Sequence, residues 1–323
     1  MRAVVHDSYG HPREVLQLRE VPEPRPGPSE VLVRVSAASV NAGDAAVIVG
    51  LPYLVRLAYG LTRPRTPIRG SDIAGTVLSA GDDVVDLRPG DEVFGKGEGA
   101  FAEMVVARPE SLATKPAAVT FEEAAALPVA GLTALQGLRD AGTGEGDRVL
   151  INGASGGVGT FAIQVAKALG AEVAAVCSSG NVDAARSLGA EHVVDYTHQD
   201  FTDTDTRYDV LFDNAGSRSL TATRSVIARR GALVLNHGNL NSRWLASLPR
   251  MARAKLSSPF ASQRTLLNVQ TWSREDLAEL ARLVGERSVT PMIERTYTLD
   301  QVPEAVAYVG QGHARGKVMI LTG

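Results

Sequence analysis

The residues Val149-Leu150-Ile151-Asn152 run directly into Gly153-Ala154-Ser155-Gly156-Gly157-Val158-Gly159, and a helical pattern from Thr160 to Leu169 follows at once. An apolar strand, a turn of small residues and a helix in this order suit the binding of a dinucleotide through its phosphates. Small side chains at Ala154, Gly156 and Gly159 let the backbone bend tightly, let a pyrophosphate approach the amides, and let the helix pack close to its strand. The N–H groups that open the helix have no partner within it, and the helix dipole favours negative charge there. Ala154, Ser155, Gly156, Gly157, Val158 and Gly159 together form the candidate phosphate site. A second strand, Glu172 to Cys177, completes a βαβ unit within about thirty residues.

At the end of that second strand an NAD-binding turn usually carries an acid, about twenty residues after the first glycine, which holds the ribose hydroxyls. Here the chain reads Cys177-Ser178-Ser179-Gly180-Asn181. No carboxylate there repels a 2′-phosphate, and the hydroxyls of Ser178 and Ser179 can donate to one, which favours NADPH. The other reading of both serines is that they cap the next helix.

The elements that must position these residues differ along the chain. Before about residue 117, short alternating runs such as Glu30-Val31-Leu32-Val33-Arg34-Val35 are separated by Pro- and Gly-rich turns, as in a β-barrel or sandwich. From Phe121 the pattern alternates strand and helix. Asn181 to Leu188 is helical, His192 to Tyr196 and Tyr208 to Ala215 are strands, Ser219 to Arg229 is a helix, and Ala232 to His237 is a strand. A doubly wound parallel sheet is expected. Thr265 to Gln270 reads as an edge strand able to pair with a second subunit. Helix Glu275 to Gly285 then leads into a tail, Thr296 to Leu321, that returns to the first domain.

The length of 323 residues, 44% of them hydrophobic, supports two domains, and a net charge of −3 gives no global attraction for nucleic acid or an acidic membrane. Neither a secretory leader nor an 18-residue apolar run is visible, so a cytoplasmic location is expected. A single cysteine, Cys177, rules out an internal disulfide and a multi-thiolate zinc site. Arg243, Arg250, Arg253, Lys255 and Arg264 lie in and around an amphipathic segment with Trp244, Leu245, Leu248 and Met251. That segment suits a mobile cover over a cleft better than a nucleic-acid groove.

Several further motifs, Val40-Asn41-Ala42-Gly43-Asp44, Gly70-Ser71-Asp72-Ile73-Ala74-Gly75-Thr76-Val77, Gly90-Asp91-Glu92-Val93-Phe94-Gly95, Ala125 to Ala134 and Gly316-Lys317-Val318, fall in order around the glycine turn. With them the chain resembles the medium-chain dehydrogenase/reductase superfamily over its whole length, in the zinc-free branch that holds quinone oxidoreductases and enone reductases. The resemblance implies a GroES-like β-barrel catalytic domain, residues 1–117 with 273–323, and a Rossmann dinucleotide-binding domain, 118–272, with the active site in the cleft between them. Zinc-dependent relatives carry a cysteine where Asn41 falls and a His-Glu pair where Ser71-Asp72 falls. No metal site is therefore expected.

By the same resemblance Asn41 and Thr133 lie near the nicotinamide carboxamide and ribose, Asn214, Ala215, His237 and Gly238 lie along the ring, Lys317 approaches from the tail, and Tyr196 lies beside the adenosine phosphate. Other readings of these residues stay open. Asn41 can bond a loop, Thr133 its own helix, Lys317 can be solvated, and a lone histidine such as His237 is often structural. Tyr53 is the candidate proton donor, the alternative being that its ring packs on the cleft wall while water supplies the proton. Asp44 reads as a capping carboxylate. Without a Lewis acid, the expected reaction is NADPH-dependent delivery of hydride to a quinone or an α,β-unsaturated carbonyl, by a homodimer. The rival readings are a metal-free carbonyl or alcohol oxidoreductase and a noncatalytic NADPH-binding redox sensor.

Overall fold

Alternation of apolar and polar residues organises the N-terminal part. Strands β1 (Arg2–Val5) and β2 (Gln17–Glu20) pair antiparallel on either side of the short helix α1 (Pro12–Val15). In β3 (Val31–Val40), Val31, Val33 and Val35 are buried while Arg34 is exposed, the period-2 pattern of a half-buried strand. Helices α2 (Ala42–Val49) and α3 (Val55–Tyr59) follow, then β4 (Asp72–Ala80), β5 (Glu92–Lys96), β6 (Met104–Ala107), β7 (Leu112–Thr114), α4 (Phe121–Ala126) and α5 (Pro128–Ala141).

The middle of the chain alternates β8 (Arg148–Asn152), α6 (Gly157–Ala168), β9 (Glu172–Cys177), α7 (Val182–Ser187), β10 (His192–Asp195), β11 (Tyr208–Asp213), α8 (Leu220–Ser225), β12 (Ile227–Leu235), α9 (Leu248–Ser257) and β13 (Arg264–Leu267). The tail supplies α10 (Arg274–Gly285), β14 (Ile293–Thr298), α11 (Val302–Gly310) and β15 (Lys317–Leu321). The structure, a computed structural model, describes residues 1–236, 248–258 and 261–323.

The chain forms two units, Met1–Leu132 with Thr271–Gly323, and Thr133–Gln270. In the first, the strands order as β14-β15-β3-β4-β5-β7, with β6 also on β3. The tail is part of this sheet, because Val318 to Leu321 pair antiparallel with Val40 to Ala37. The first unit runs past residue 117 because α4, opened by a Thr120/Glu123 capping box, packs on β3, β4 and β15 and buries Ala124, Ala125 and Ala126.

In the second unit, six parallel strands order as β10-β9-β8-β11-β12-β13, so the order reverses between β8 and β11. Val149, Leu150 and Ile151 are all fully buried, as a parallel strand covered on both faces requires. One expected element is shorter than its pattern: the helix at Ser219 stops at Ser225. Buried Val226 and Ile227 instead join the sheet, where Tyr208 N–H donates to Val226 O at 2.9 Å and Ile227 opens β12.

Candidate active site

The glycine turn leaves β8 at the point where the strand order reverses, the position where open α/β sheets bind ligands. Gly153 takes a φ of +83°, which only glycine adopts easily. Gly159 and Gly156 are glycines for different reasons. A Cβ on Gly159 would lie 2.2 Å from Gly153 O and 2.7 Å from Ala154 C, so this glycine lets α6 close against the turn. A Cβ on Gly156 would meet nothing nearer than Gly153 O at 4.0 Å. Nothing among the described residues requires glycine there, and the room beside it fits a ligand. Gly156 is also the N-cap of α6 and has no side chain to cap the helix, so the first amides, among them those of Gly157 and Val158, keep their donors.

The neighbouring turn, after β11, carries a second sign of an absent group. Asn214 Oδ1 accepts from Asn236 Nδ2 at 3.0 Å, whereas Asn214 Nδ2 is buried without a partner among the described residues. Buried amide donors seldom go unsatisfied, so this one fits a ligand acceptor. Ala215 follows it, and Gly216 N–H donates to Asp213 Oδ1 at 2.8 Å, tightening the turn. The residues present therefore fit a dinucleotide.

At the far end of the turn, the sheet brings Ser178, Ser179 and Tyr196 together, with Tyr196 N–H donating to Cys177 O at 3.0 Å. Asn181 Nδ2 donates to Ser178 Oγ at 2.9 Å, which leaves the Ser178 hydroxyl proton to donate elsewhere. Ser179 Oγ lies 2.9 Å from Thr197 Oγ1. A carboxylate does stand here, from the adjacent strand: Asp195 accepts from Thr197 N and Oγ1 at 3.0 and 2.7 Å. Hydrogen bonds from Ser179 and Thr197 hold its carboxyl below the ordinary carboxylate range. Reading along β9 alone misses it, because parallel pairing sets Asp195 beside Cys177.

The first unit holds a buried ionic cluster. Asp72 is fully buried and Lys317 is 2% exposed. Lys317 Nζ lies 3.3 Å from Asp72 Oδ2 and donates to Asn41 Oδ1 at 2.7 Å. Asn41 Nδ2 and Ser39 Oγ donate to the same carboxylate oxygen at 2.9 and 2.7 Å, and Val129 N–H donates to the other at 3.2 Å. Lys317 is thus not solvated. It and Asp72 fix both ends of the Asn41 amide, leaving Asn41 one further N–H. These side chains do not fit a zinc ion: the Asp72 carboxylate is already neutralised by an ammonium, and an asparagine and Ser71 replace soft or imidazole ligands. Among the described residues no group of three or more His, Cys, Asp or Glu side chains could hold a metal. Asp72 and Ser39 were not legible as site residues, although a charge inside an apolar strand demands a partner.

Asp44 caps α2 by accepting from Asn41 N–H at 2.9 Å. Burial pushes its carboxyl up to about 6, with Asp72 adding to the rise and Arg69 and Lys317 opposing it. Tyr53 lies between α2 and α3 and is 40% exposed, its ring 5.0 Å from the Arg56 guanidinium that also covers Tyr9. Thr133 is buried in α5 and its carbonyl accepts from Asn268 Nδ2 at 2.9 Å. His237 and Gly238 lie outside the described residues.

Two family descriptions match: an alcohol dehydrogenase GroES-like domain over residues 27–117, and a zinc-binding dehydrogenase over 188–320. The chain is 34% identical to the mitochondrial NAD(P)H oxidoreductase RTN4IP1 of Mus musculus, covering 91% of this chain and 82% of that one. It is 30% identical to the chloroplast envelope quinone oxidoreductase homolog of Arabidopsis thaliana, over 99% and 98% of the two chains. The solved quinone oxidoreductase of Coxiella burnetii superposes with a TM-score of 0.88 at 30% identity, over 100% and 99%. With the reversed strand order, the glycine cradle and these similarities together, the chain belongs to the medium-chain dehydrogenase/reductase superfamily as a quinone oxidoreductase-like NAD(P)H oxidoreductase.

Proposed function

We propose that this oxidoreductase uses NADPH to reduce a quinone or an α,β-unsaturated carbonyl compound, without a metal. The observation that carries the substrate class is the Lys317–Asp72 pair. An ammonium stands against the Asp72 carboxylate, so an acceptor already activated by conjugation suits the site better than a plain alcohol or ketone. The relatives named for quinone reduction support the same class.

The dinucleotide, when bound, supplies the hydride. The turn Ala154 to Gly159 would hold its pyrophosphate, Asn214 its nicotinamide end, and Ser178 with Tyr196 its 2′-phosphate, the neighbouring Asp195 carboxylate being engaged by Ser179 and Thr197. Lys317 and Asp72 keep the Asn41 amide in one orientation, so that its remaining N–H can stabilise an oxygen that gains negative charge. Tyr53 delivers the proton. For the assembly we propose a homodimer through the outer edge of β13, which pairs only with β12 among the described residues. For the location we propose the cytoplasm; among the described residues no helix is long and apolar enough to cross a membrane.

The test is a panel of quinones, enones and ketones offered with NADPH and with NADH, products identified by mass. Quinone or enone reduction with NADPH preferred is the expected result, and Tyr53→Phe should lower enone turnover about 10²-fold. Ketone reduction alone, or nucleotide binding with no turnover on any acceptor, would overturn the proposal. Unchanged turnover in Tyr53→Phe would assign the proton to water.

A further inference from the structure

From Asn214 to Ser273 the chain carries nine Arg or Lys residues and not one Asp or Glu, although its formal net charge is −3. The function proposed above gives these basic side chains no role. Four of its guanidinium groups, Arg218, Arg224, Arg250 and Arg253, line a cleft of about 850 Å³ between α8 and α9. The cleft is on the β11–β13 half of the sheet, whereas the serines of the adenosine end follow β9.

The charges in this cleft do not balance. Arg250 is paired with the buried Asp213 at 2.7 Å and Arg218 with Asp200 at 2.6 Å. Arg224, half-buried, has only neutral acceptors: Ser257 Oγ at 2.8 Å, Ala254 O at 3.2 Å and Thr265 Oγ1 at 3.1 Å. The Arg253 side chain has no ion pair or hydrogen bond among the described residues. In addition, Nε of both Arg224 and Arg250 is buried with no acceptor among the described residues. Two positive charges and two orphaned donors therefore await an anion. A phosphate monoester carries about −1.5 to −2 at neutral pH and offers three acceptor oxygens, which suits guanidinium geometry. Leu220 and Leu256, the latter 76% exposed, line the same cleft, so the phosphate can bear an apolar substituent.

We propose that the α8–α9 cleft binds a small organic phosphate, separately from the dinucleotide turn. Phenyl phosphate and inorganic pyrophosphate are the probes, titrated calorimetrically into the full chain. Both should bind, with affinity falling as salt rises. Arg224→Gln with Arg253→Gln should weaken binding by about tenfold or more. Arg253→Gln alone, at a side chain with no ion pair or hydrogen bond to lose among the described residues, should weaken it by about threefold while leaving the melting temperature unchanged. Gly156→Val should bind phenyl phosphate as the wild type does. Three results would overturn the proposal: no binding of either probe at millimolar concentration, equal affinity in the arginine variants, or loss of phenyl phosphate binding in Gly156→Val, which would place the phosphate on the dinucleotide turn. Attachment to vesicles containing phosphatidic acid without binding of phenyl phosphate would also overturn it, since the anion would then be a membrane surface.

Discussion

Gly156 and Gly159 are three residues apart in one turn, yet substituting them should have opposite consequences. At Gly159, an alanine Cβ would fall 2.2 Å from a backbone oxygen and 2.7 Å from two backbone carbons, about 1 Å inside normal contact. Neither neighbour is a side chain that can swing away, so α6 must shift, at an overpacking cost of about 1–3 kcal/mol or more. For a unit of this size that lowers the melting temperature by roughly 5–10 °C. At Gly156 the φ is −78° and the ψ 172°, which any residue adopts, and a Cβ finds no neighbour inside 4.0 Å. Gly156→Val should therefore melt within a few degrees of the wild type. Its side chain would instead fill the room where the pyrophosphate meets the amides. Losing two charge-assisted hydrogen bonds, at about 1.5–3 kcal/mol each, weakens NADPH binding about 10²- to 10⁴-fold. Scanning calorimetry and a fluorescence titration with NADPH measure both quantities on the same samples. A Gly156→Val protein that binds NADPH within threefold of wild type, or a Gly159→Ala protein that melts unchanged, would refute this assignment of the two glycines.

Other substitutions probe the buried charges. Asp72→Asn leaves the Lys317 ammonium unpaired in an environment from which both side chains are almost wholly excluded from water. At 3.3 Å and an effective dielectric of about 20 the lost attraction is about 5 kcal/mol, and breaking such a pair typically costs 3–5 kcal/mol. Urea unfolding should show that loss, and Asp72→Asn with Lys317→Met should recover most of it; a single variant within 1 kcal/mol of wild type would contradict the pairing. Asp44 has its folded pKa at about 6, above the usual carboxylate value, so the folded state favours the protonated form. Its contribution to stability is fully present below about pH 4 and falls by roughly 3 kcal/mol as pH rises through 6. Asp44→Asn should remove that slope, so the stability difference between variant and wild type must change between pH 4 and pH 7. A constant difference would rule the titration out.

Much of the second unit can be read directly from residue order, because fully buried parallel strands make continuous apolar runs and the turns between them are marked by glycine. The end of its helix α8 is not marked locally, because Arg229 and Arg230 preserve a polar periodicity that a strand edge satisfies equally well. The first unit was harder to read. Asn41, Asp72 and Lys317 each sit in a recognisable motif, but their mutual contacts span sequence separations of 31, 245 and 276 residues and exist only because β15 and β4 flank β3. No local pattern encodes that adjacency. Asp195 was hidden for the same reason, its place beside the Ser179 turn being set by strand pairing. The imbalance of charge from Asn214 to Ser273 was visible in composition, whereas its concentration at one cleft required the packing of α9 on α8.

The antiparallel pairing of β15 with β3 also imposes a timetable on synthesis. Residues 133–270 contain every strand of their own sheet and can close while the ribosome is still translating the tail. The strand that emerges near residue 31 has Val31 to Arg34 covered by β6, but its Ala37 to Val40 edge must wait for a strand made almost three hundred residues later. During that interval a nascent chain exposes an unpaired apolar ribbon, a natural target for a chaperone, and translation that stopped a few codons early would leave that ribbon open for good.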